Sequence, residues 1–248
     1  MIKPCIAWAT ATTTSMEVLG AAYVLHKRAY QNTSAIVHLL TQNHGLVDAV
    51  AKGAAPKPGK ARFNLQFFQL LETHCKGKGD LLSLYSSEAI GQAAVLEGKA
   101  LFCGLYINEL LKELLPKHDA APDIFQLYQT LQDALRRANN SVDLEVLLRS
   151  FEVQLLNELG YGIHFVEALT GENLQENTAY YYQMEKGFIP LTQSDIRSKS
   201  YFTGKALHNI SALDFSHIET RKQAKHLLRS VINHHLGSKS LKSRELFQ

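Results

Sequence analysis

Ser34-Ala-Ile-Val-His-Leu-Leu-Thr-Gln-Asn-His-Gly-Leu-Val-Asp-Ala-Val-Ala-Lys52 is the stretch that decides the fold of the first third of the chain. Two runs rich in β-branched and apolar residues, Ser34–Thr41 and Leu46–Lys52, flank Gln42-Asn-His-Gly45, whose glycine supplies the positive φ that a tight reversal needs. The pattern predicts a β-hairpin. Working outward, Ala22-Tyr-Val-Leu-His-Lys27 gives a strand before it, ahead of a polar turn at Gln31-Asn32. Leu65–Thr73 and Leu81–Ser86 give two strands after it, joined by His74-Cys-Lys-Gly-Lys-Gly-Asp80. Five short strands in about seventy residues, with no long helix between them, is the strand count of an OB-type barrel; an SH3-like barrel has nearly the same count.

After Ala89 the apolar period changes from 2 to 3.6. Lys99–Leu115 carries Leu101, Leu105, Leu111 and Leu115, and Pro116 ends it. A second helix starts with Pro122 in its first turn, after Asp119, and carries Ile124, Leu127, Tyr128, Leu131 and Leu135. A third runs from Ser141, read as its cap, to Gly160, read as its terminator. Residues 161–200 lose the period and predict loops or a small hairpin; Thr203–Ser211 and His217–Leu236 predict two further helices, and Leu241–Gln248 one more amphipathic turn. The fold class is therefore α+β: an N-terminal five-stranded OB-fold barrel over 16–93, then a mainly helical domain over 94–248 with an irregular insert at about 161–200. Residues 1–15 read as a disordered leader or as an over-extended start, with Met16 as the true one.

The totals restrict function. No apolar run approaches the ~20 residues of a membrane span, and the N-terminus lacks the apolar region of a secretory signal. Cys5, Cys75 and Cys103 are too few and too scattered for a disulfide framework or zinc ribbon, which fits a reducing cytoplasm. Eleven histidines show no metal-ligand spacing, so neither metal nor other cofactor is expected. Charge is uneven: residues 1–93 hold nine Lys/Arg and five Asp/Glu, residues 94–196 seven and fifteen, and residues 197–248 ten and three. Cationic ends point to polyanion contact.

No phosphate-binding loop is present, and Lys76-Gly-Lys-Gly79 lacks the following helix and Ser/Thr, so it reads as a hairpin tip. Glu109/Glu113 and Asp119/Asp123, each spaced by four, read as solvated helix faces rather than a two-metal nuclease. The best local signal is Val50-Ala-Lys-Gly-Ala-Ala-Pro-Lys-Pro-Gly-Lys-Ala-Arg62, a loop with four cations and no acid. Lys52, Lys57, Lys60 and Arg62, with Lys27 and Arg28 at the end of the first strand and Lys76 and Lys78 at the last hairpin, form the expected nucleic-acid-binding set. A surface loop that binds nothing remains open on composition alone. Tyr23, Tyr30, Phe63, Phe67, Phe68 and Tyr85 could stack on bases but read mostly as barrel core. Arg149, beside Leu148 and Phe151 in the acidic segment, could hold a carboxylate next to an apolar groove; pairing with Glu145 or Glu152 is the alternative.

Tyr23-Val-Leu-His-Lys-Arg28, Val50-Ala-Lys-Gly53, Gly104-Leu-Tyr-Ile-Asn-Glu-Leu110, Leu148-Arg-x-Phe-Glu152 with Leu159-Gly-Tyr-Gly162, Lys186-Gly-Phe188 and Leu241-Lys-Ser-Arg-Glu-Leu246 resemble, in this order, the RecO family of DNA-repair mediators. The resemblance runs from about Met16 to the end. It implies a non-enzymatic protein that binds single- and double-stranded DNA, anneals complementary strands without ATP, and helps load the recombinase RecA on DNA covered by single-stranded-DNA-binding protein (SSB), commonly with RecR in the RecF pathway. It implies a cytoplasmic, nucleoid-associated location and no membrane. Some members carry a four-cysteine zinc module after the Leu-Gly-Tyr-Gly segment; with no cysteine after Cys103, this chain resembles the zinc-free branch. By motif position, Arg149 would meet the carboxylates of the acidic, apolar-tipped SSB tail, with Leu148, Phe151 and Leu155 as apolar wall. A protein adaptor with an OB-like domain that binds no DNA is the competing expectation.

Overall fold

The computed structural model describes residues 15–54, 63–192, 194–195 and 200–247. It divides into two compact units, one of the chain up to Ala93 with Lys117–Ala120, the other of Ala94–Pro116 and Ala121 onward.

In the first unit β1 (Met16–Tyr30), β2 (Ser34–Thr41), β3 (Gly45–Ala51), β4 (Leu71–Gly77) and β5 (Leu81–Ala89) close a barrel in the order β1-β2-β3-β5-β4. β3 and β5 pair in parallel, the other neighbours antiparallel. This Greek-key closure is that of an OB barrel. Val37, Leu39, Val47, Ala49 and Leu82 alternate into its interior, and burying each of the larger ones is worth about 1.5–3 kcal/mol.

Two strands differ from the sequence reading. β1 is much longer, because it serves two neighbours: Met16–Ala22 pair with β4, and Ala22–Tyr30 pair with β2 across a bulge between Val24 and His26. Residues 65–70 are not a strand; Phe67 makes only an isolated bridge to Val24, and the side-chain amide of Gln69 donates to the carbonyls of Leu70 and Ile90. The fourth strand starts at Leu71, with Leu71, Thr73 and Cys75 buried and Glu72 and Lys76 exposed. Lys76 thus lies in a ladder opposite Glu17 and Ser83, and the hairpin tip shrinks to Lys78-Gly79-Asp80.

Gly45 takes φ +61°, as the turn required, and a Cβ there would lie 1.8 Å from the carbonyl oxygen of Asp119. The Lys117–Ala120 segment is docked on the barrel at this point. His118 N–H donates to Leu46 O (3.0 Å), and Lys117 Nζ lies 2.7 Å from Asp48 Oδ2. Asp48 Oδ1 accepts from His38 Nδ1 at 2.6 Å. Asp119 therefore lies outside any helix, and the Asp119/Asp123 pair does not share a helical face.

The second unit opens with α1 (Gly98–Leu114), α2 (Pro122–Arg137) and α3 (Ser141–Glu158). Pro122 occupies the first turn of α2, as its missing N–H allows. Asn140, not Ser141, caps α3: its side-chain oxygen accepts from the amides of Val142 and Asp143. Gly160 at φ +75° ends α3 in a Schellman arrangement, with Gly160 N–H bonded to Asn157 O and Tyr161 N–H to Leu156 O. β6 (Ala179–Gln183), β7 (Gly187–Pro190) and β8 (Phe202–Thr203) form a small sheet in the order β7-β6-β8. Then come α4 (Gly204–Ser211), capped by Thr203, α5 (Ile218–Leu236), and a 3-10 helix over Lys242–Phe247. α3 packs on α2 and α5, and the 3-10 helix packs on α1.

Candidate functional sites on the barrel and on the helical bundle

Among the described residues, the barrel does not gather the expected cations into one patch. Arg28 is exposed opposite Ile36, which in turn faces Val50, so Arg28 and Lys52 share one end of the β1-β2-β3 sheet. Lys76 faces Glu17 near the start of β1, ten ladder positions from Lys27, roughly 33 Å of strand if straight. Lys78 sits exposed in the turn just beyond.

Two of these cations are engaged within the barrel. Lys27 Nζ donates to Leu65 O at 3.0 Å and lies 5.2 Å from the Phe67 ring centroid, clamping the β3–β4 connection to β1. Lys76 Nζ is 3.7 Å from Glu17, an exposed pair of little energetic weight, while His74 holds the same carboxylate at 2.8 Å. Lys57, Lys60 and Arg62 lie outside the described residues. Of the aromatics read as core, Tyr23, Phe63 and Phe68 are buried, but Tyr85 is 57% exposed and stacks on His74 at 5.4 Å.

The helical unit holds a cleft of about 630 Å³ between α1, α3, α5 and the C-terminal 3-10 helix, a size suited to a small ligand or peptide end. Its apolar lining includes Phe102, Leu144, Leu148, Leu246 and Phe247. Its charged lining is five cations, Lys99, Arg149, Lys225, Arg229 and Arg244, against two carboxylates, Glu145 and Glu152. Both carboxylates are already bound: Arg221 Nε holds Glu145 at 3.1 Å, and Glu152 sits between Arg149 Nη1 (2.6 Å) and the Tyr106 hydroxyl, which donates to it at 2.6 Å. The cleft therefore has spare positive charge.

Leu148 and Arg149 line this cleft, and Arg149 makes the alternative pairing, with Glu152. Phe151 and Leu155 are each 1% exposed, belong to the packed interior and are not among its lining residues. Arg149 is also buried, and its contact to Glu152 is ionic rather than a well-aligned hydrogen bond: neither Arg149 Nε nor Glu152 Oε2 has an aligned partner. Burial, then the Glu152 charge, pushes the Tyr106 phenol far above its ordinary range, so it stays a neutral donor. Burial raises the Cys103 thiol at the cleft wall to about 11, which removes it as a nucleophile at neutral pH.

Sequence reasoning missed Lys99, Phe102, Lys225, Arg229, Arg244 and Phe247. Of these only Arg244 lies in a segment that stood out: Gly104–Leu110, Leu148–Glu152 and Leu241–Leu246 are separate in the sequence, and the fold brings them together here through Tyr106, Arg149, Glu152 and Arg244. Among the described residues, no group of three or more His, Cys, Asp or Glu could hold a metal ion, and no helix is long and apolar enough to cross a membrane.

Two family models match the chain, "Recombination protein O N terminal" over residues 16–93 and "Recombination protein O C terminal" over residues 96–245. Among curated proteins, the chain is 39% identical over 242 residues to the DNA repair protein RecO of Methylococcus capsulatus, covering 94% of each. It is 38% identical over 227 residues to that of Actinobacillus pleuropneumoniae serotype 7, covering 91% of this chain and 92% of the relative. It is 38% identical over 226 residues to that of Pseudoalteromonas translucida, covering 91% and 95%.

Proposed function

The chain belongs to the RecO family of DNA repair and recombination proteins, and from that premise we propose that it is a two-site mediator working without a covalent step. The barrel domain, taken as 16–93, binds single- and double-stranded DNA through Arg28, Lys52, Lys78 and the loop cations Lys57, Lys60 and Arg62, with Lys27 and Lys76 as weaker contributors. It anneals complementary strands without ATP by screening their charge. The helical domain, taken as 94–248, takes the acidic, apolar-tipped tail of SSB, and with RecR the protein helps load RecA at the nucleoid. We place the chain in the zinc-free branch, because no cysteine follows Cys103.

One observation carries the reading: a cleft with an apolar wall lined by five cations, Arg149 among them, against two carboxylates that already have partners. An acidic peptide with an apolar end matches both halves of that lining. The adaptor alternative draws on Lys27 being tied down within the barrel and on Lys76 lying opposite an acid, Glu17.

Annealing of SSB-coated complementary oligonucleotides without ATP tests the proposal. Annealing is expected, and oligonucleotide affinity should fall with salt by about one log-slope unit per phosphate neutralised. No gel retardation with SSB absent, or affinity that stays flat with salt, refutes DNA binding by the barrel and leaves the adaptor.

A further inference from the structure

Glu109 and Glu113, spaced as a helix-face pair, turn out to face the C-terminal end of the described chain. Phe102, Tyr106, Glu109 and Glu113 follow one another at spacings of four, three and four, and so line one face of α1. The segment after α5 runs antiparallel along that face. Lys239 Nζ is 3.0 Å from Glu113 Oε2. Glu109 accepts from Lys242 N–H (3.0 Å), Ser243 N–H (2.8 Å) and the Ser243 hydroxyl. Phe247 then meets Phe102 and Tyr106 edge-on, each at 6.3 Å between ring centroids.

The same segment supplies Arg244, Leu246 and Phe247 to the cleft. A 3-10 turn of this length has too few internal bonds to hold its own shape. Its position is set by its anchors: the Glu109 contacts, the buried Leu241 just before it and the bond from Arg244 Nη1 to Asn233 Oδ1, while Phe247 and Leu246 are 47% and 41% exposed.

We infer that Glu109 is a positioning residue: it latches the segment Lys242–Phe247 onto α1 and so builds the cleft wall that receives the apolar end of an acidic peptide. This rests on the peptide-binding reading of the cleft. Glu109 touches no ligand itself; it acts by satisfying two backbone N–H groups at the start of the 3-10 turn, which orients Arg244 and Phe247.

The test compares wild type, Glu109→Ala, Glu109→Gln and Phe247→Ala, all full-length. A fluorescein-labelled acidic peptide with an apolar C-terminal residue is titrated by anisotropy, and hydrogen exchange is followed at the Lys242 and Ser243 amides. Glu109→Ala should weaken the peptide at least about tenfold, speed exchange at both amides, and leave oligonucleotide binding unchanged. Glu109→Gln keeps one acceptor oxygen and should fall between the two. Phe247→Ala should show the affinity loss without the exchange change, and Glu109→Gln decides the matter if Glu109→Ala fails to fold. Wild-type binding with Glu109→Ala within about twofold of it, or unchanged amide exchange, overturns the latch alone. No binding by the wild type overturns the peptide reading and the latch with it.

Discussion

Arg149→Ala is the obvious probe of the cleft, and the structure predicts that it will do two things at once. Arg149 is the cation that holds Glu152, a carboxylate 1% exposed whose other partner is the Tyr106 hydroxyl. Removing the guanidinium strands that charge in the interior, at a cost of about 3–5 kcal/mol. It also removes a charged donor to the incoming peptide, worth about 1.5–3 kcal/mol, or roughly ten- to a hundredfold in affinity. The two effects separate in the double variant Arg149→Met with Glu152→Gln. That pair carries no buried charge, and the new amide oxygen still accepts from the Tyr106 hydroxyl, so stability should return to near the wild-type value while peptide affinity stays lost. Urea denaturation reads the first quantity and anisotropy with the acidic peptide the second, with oligonucleotide binding as the control that should not move. Arg149→Ala as stable as the wild type would mean that Glu152 does not depend on it. A double variant that binds peptide like the wild type would show that Arg149 is not the carboxylate receptor.

Three further outcomes follow from the barrel. Burial raises the Asp48 carboxyl, but the His38 hydrogen bond and the Lys117 ammonium outweigh it and hold its pKa at about 2, against 3.8 ordinarily. A depressed carboxylate stabilises above its unfolded value, so this contribution, about 2 kcal/mol at pH 7, should be lost as pH falls from about 4 through 2; urea midpoints for wild type and Asp48→Asn, well apart at pH 7, should converge at pH 2. Gly45→Ala puts a side chain in the left-handed region and against the Asp119 carbonyl, and should destabilise the first unit by at least about 1–3 kcal/mol in the same assay. A wild-type midpoint for it would mean that Lys117–Ala120 does not dock as described. Replacing Lys57, Lys60 and Arg62 together with Ala should flatten the salt dependence of oligonucleotide binding by up to about three log-slope units and leave peptide affinity alone; losing both together refutes separate sites.

The barrel was legible because its information is local. The apolar run Ser34–Thr41, the turn at Gly45 and the strand after it depend on residues within a hairpin's length, and their bounds match β2 and nearly match β3. β1 was underestimated because Met16–Ala21 pairs with β4, some fifty to sixty residues on, and Gly20-Ala21 interrupts the short alternation before Ala22. The span 65–70 misled for the opposite reason: Leu65, Phe67 and Phe68 are apolar enough for a strand but are fixed by Lys27 and the Val24 bridge instead of a ladder. Of the cleft, the α3 side was readable, since Leu148 and Arg149 lie in one motif. Lys225, Arg229 and Arg244 were not, because only the packing of α5 and the C-terminal turn brings them within reach of Arg149.

The placement of those late cations also bears on what the basic C-terminal segment does for the acidic bundle. Residues 94–196 carry eight more acids than bases and residues 197–248 seven more bases than acids, so the helical part is close to neutral as a whole. Some of the late cations are engaged internally, Arg221 with Glu145 and Lys239 with Glu113. Net charge therefore cannot draw an anionic peptide to this unit. At physiological salt, screening over about 8 Å leaves only nearby charges to act. Lys225, Arg229 and Arg244 line the same cleft as Arg149, so the local field is positive where the domain's sum is not. On the proposed reading, an acidic ligand is selected by where the cations are held rather than by how many there are. That is why Glu109, an acid that fixes the turn carrying Arg244, has leverage over binding without contacting what is bound.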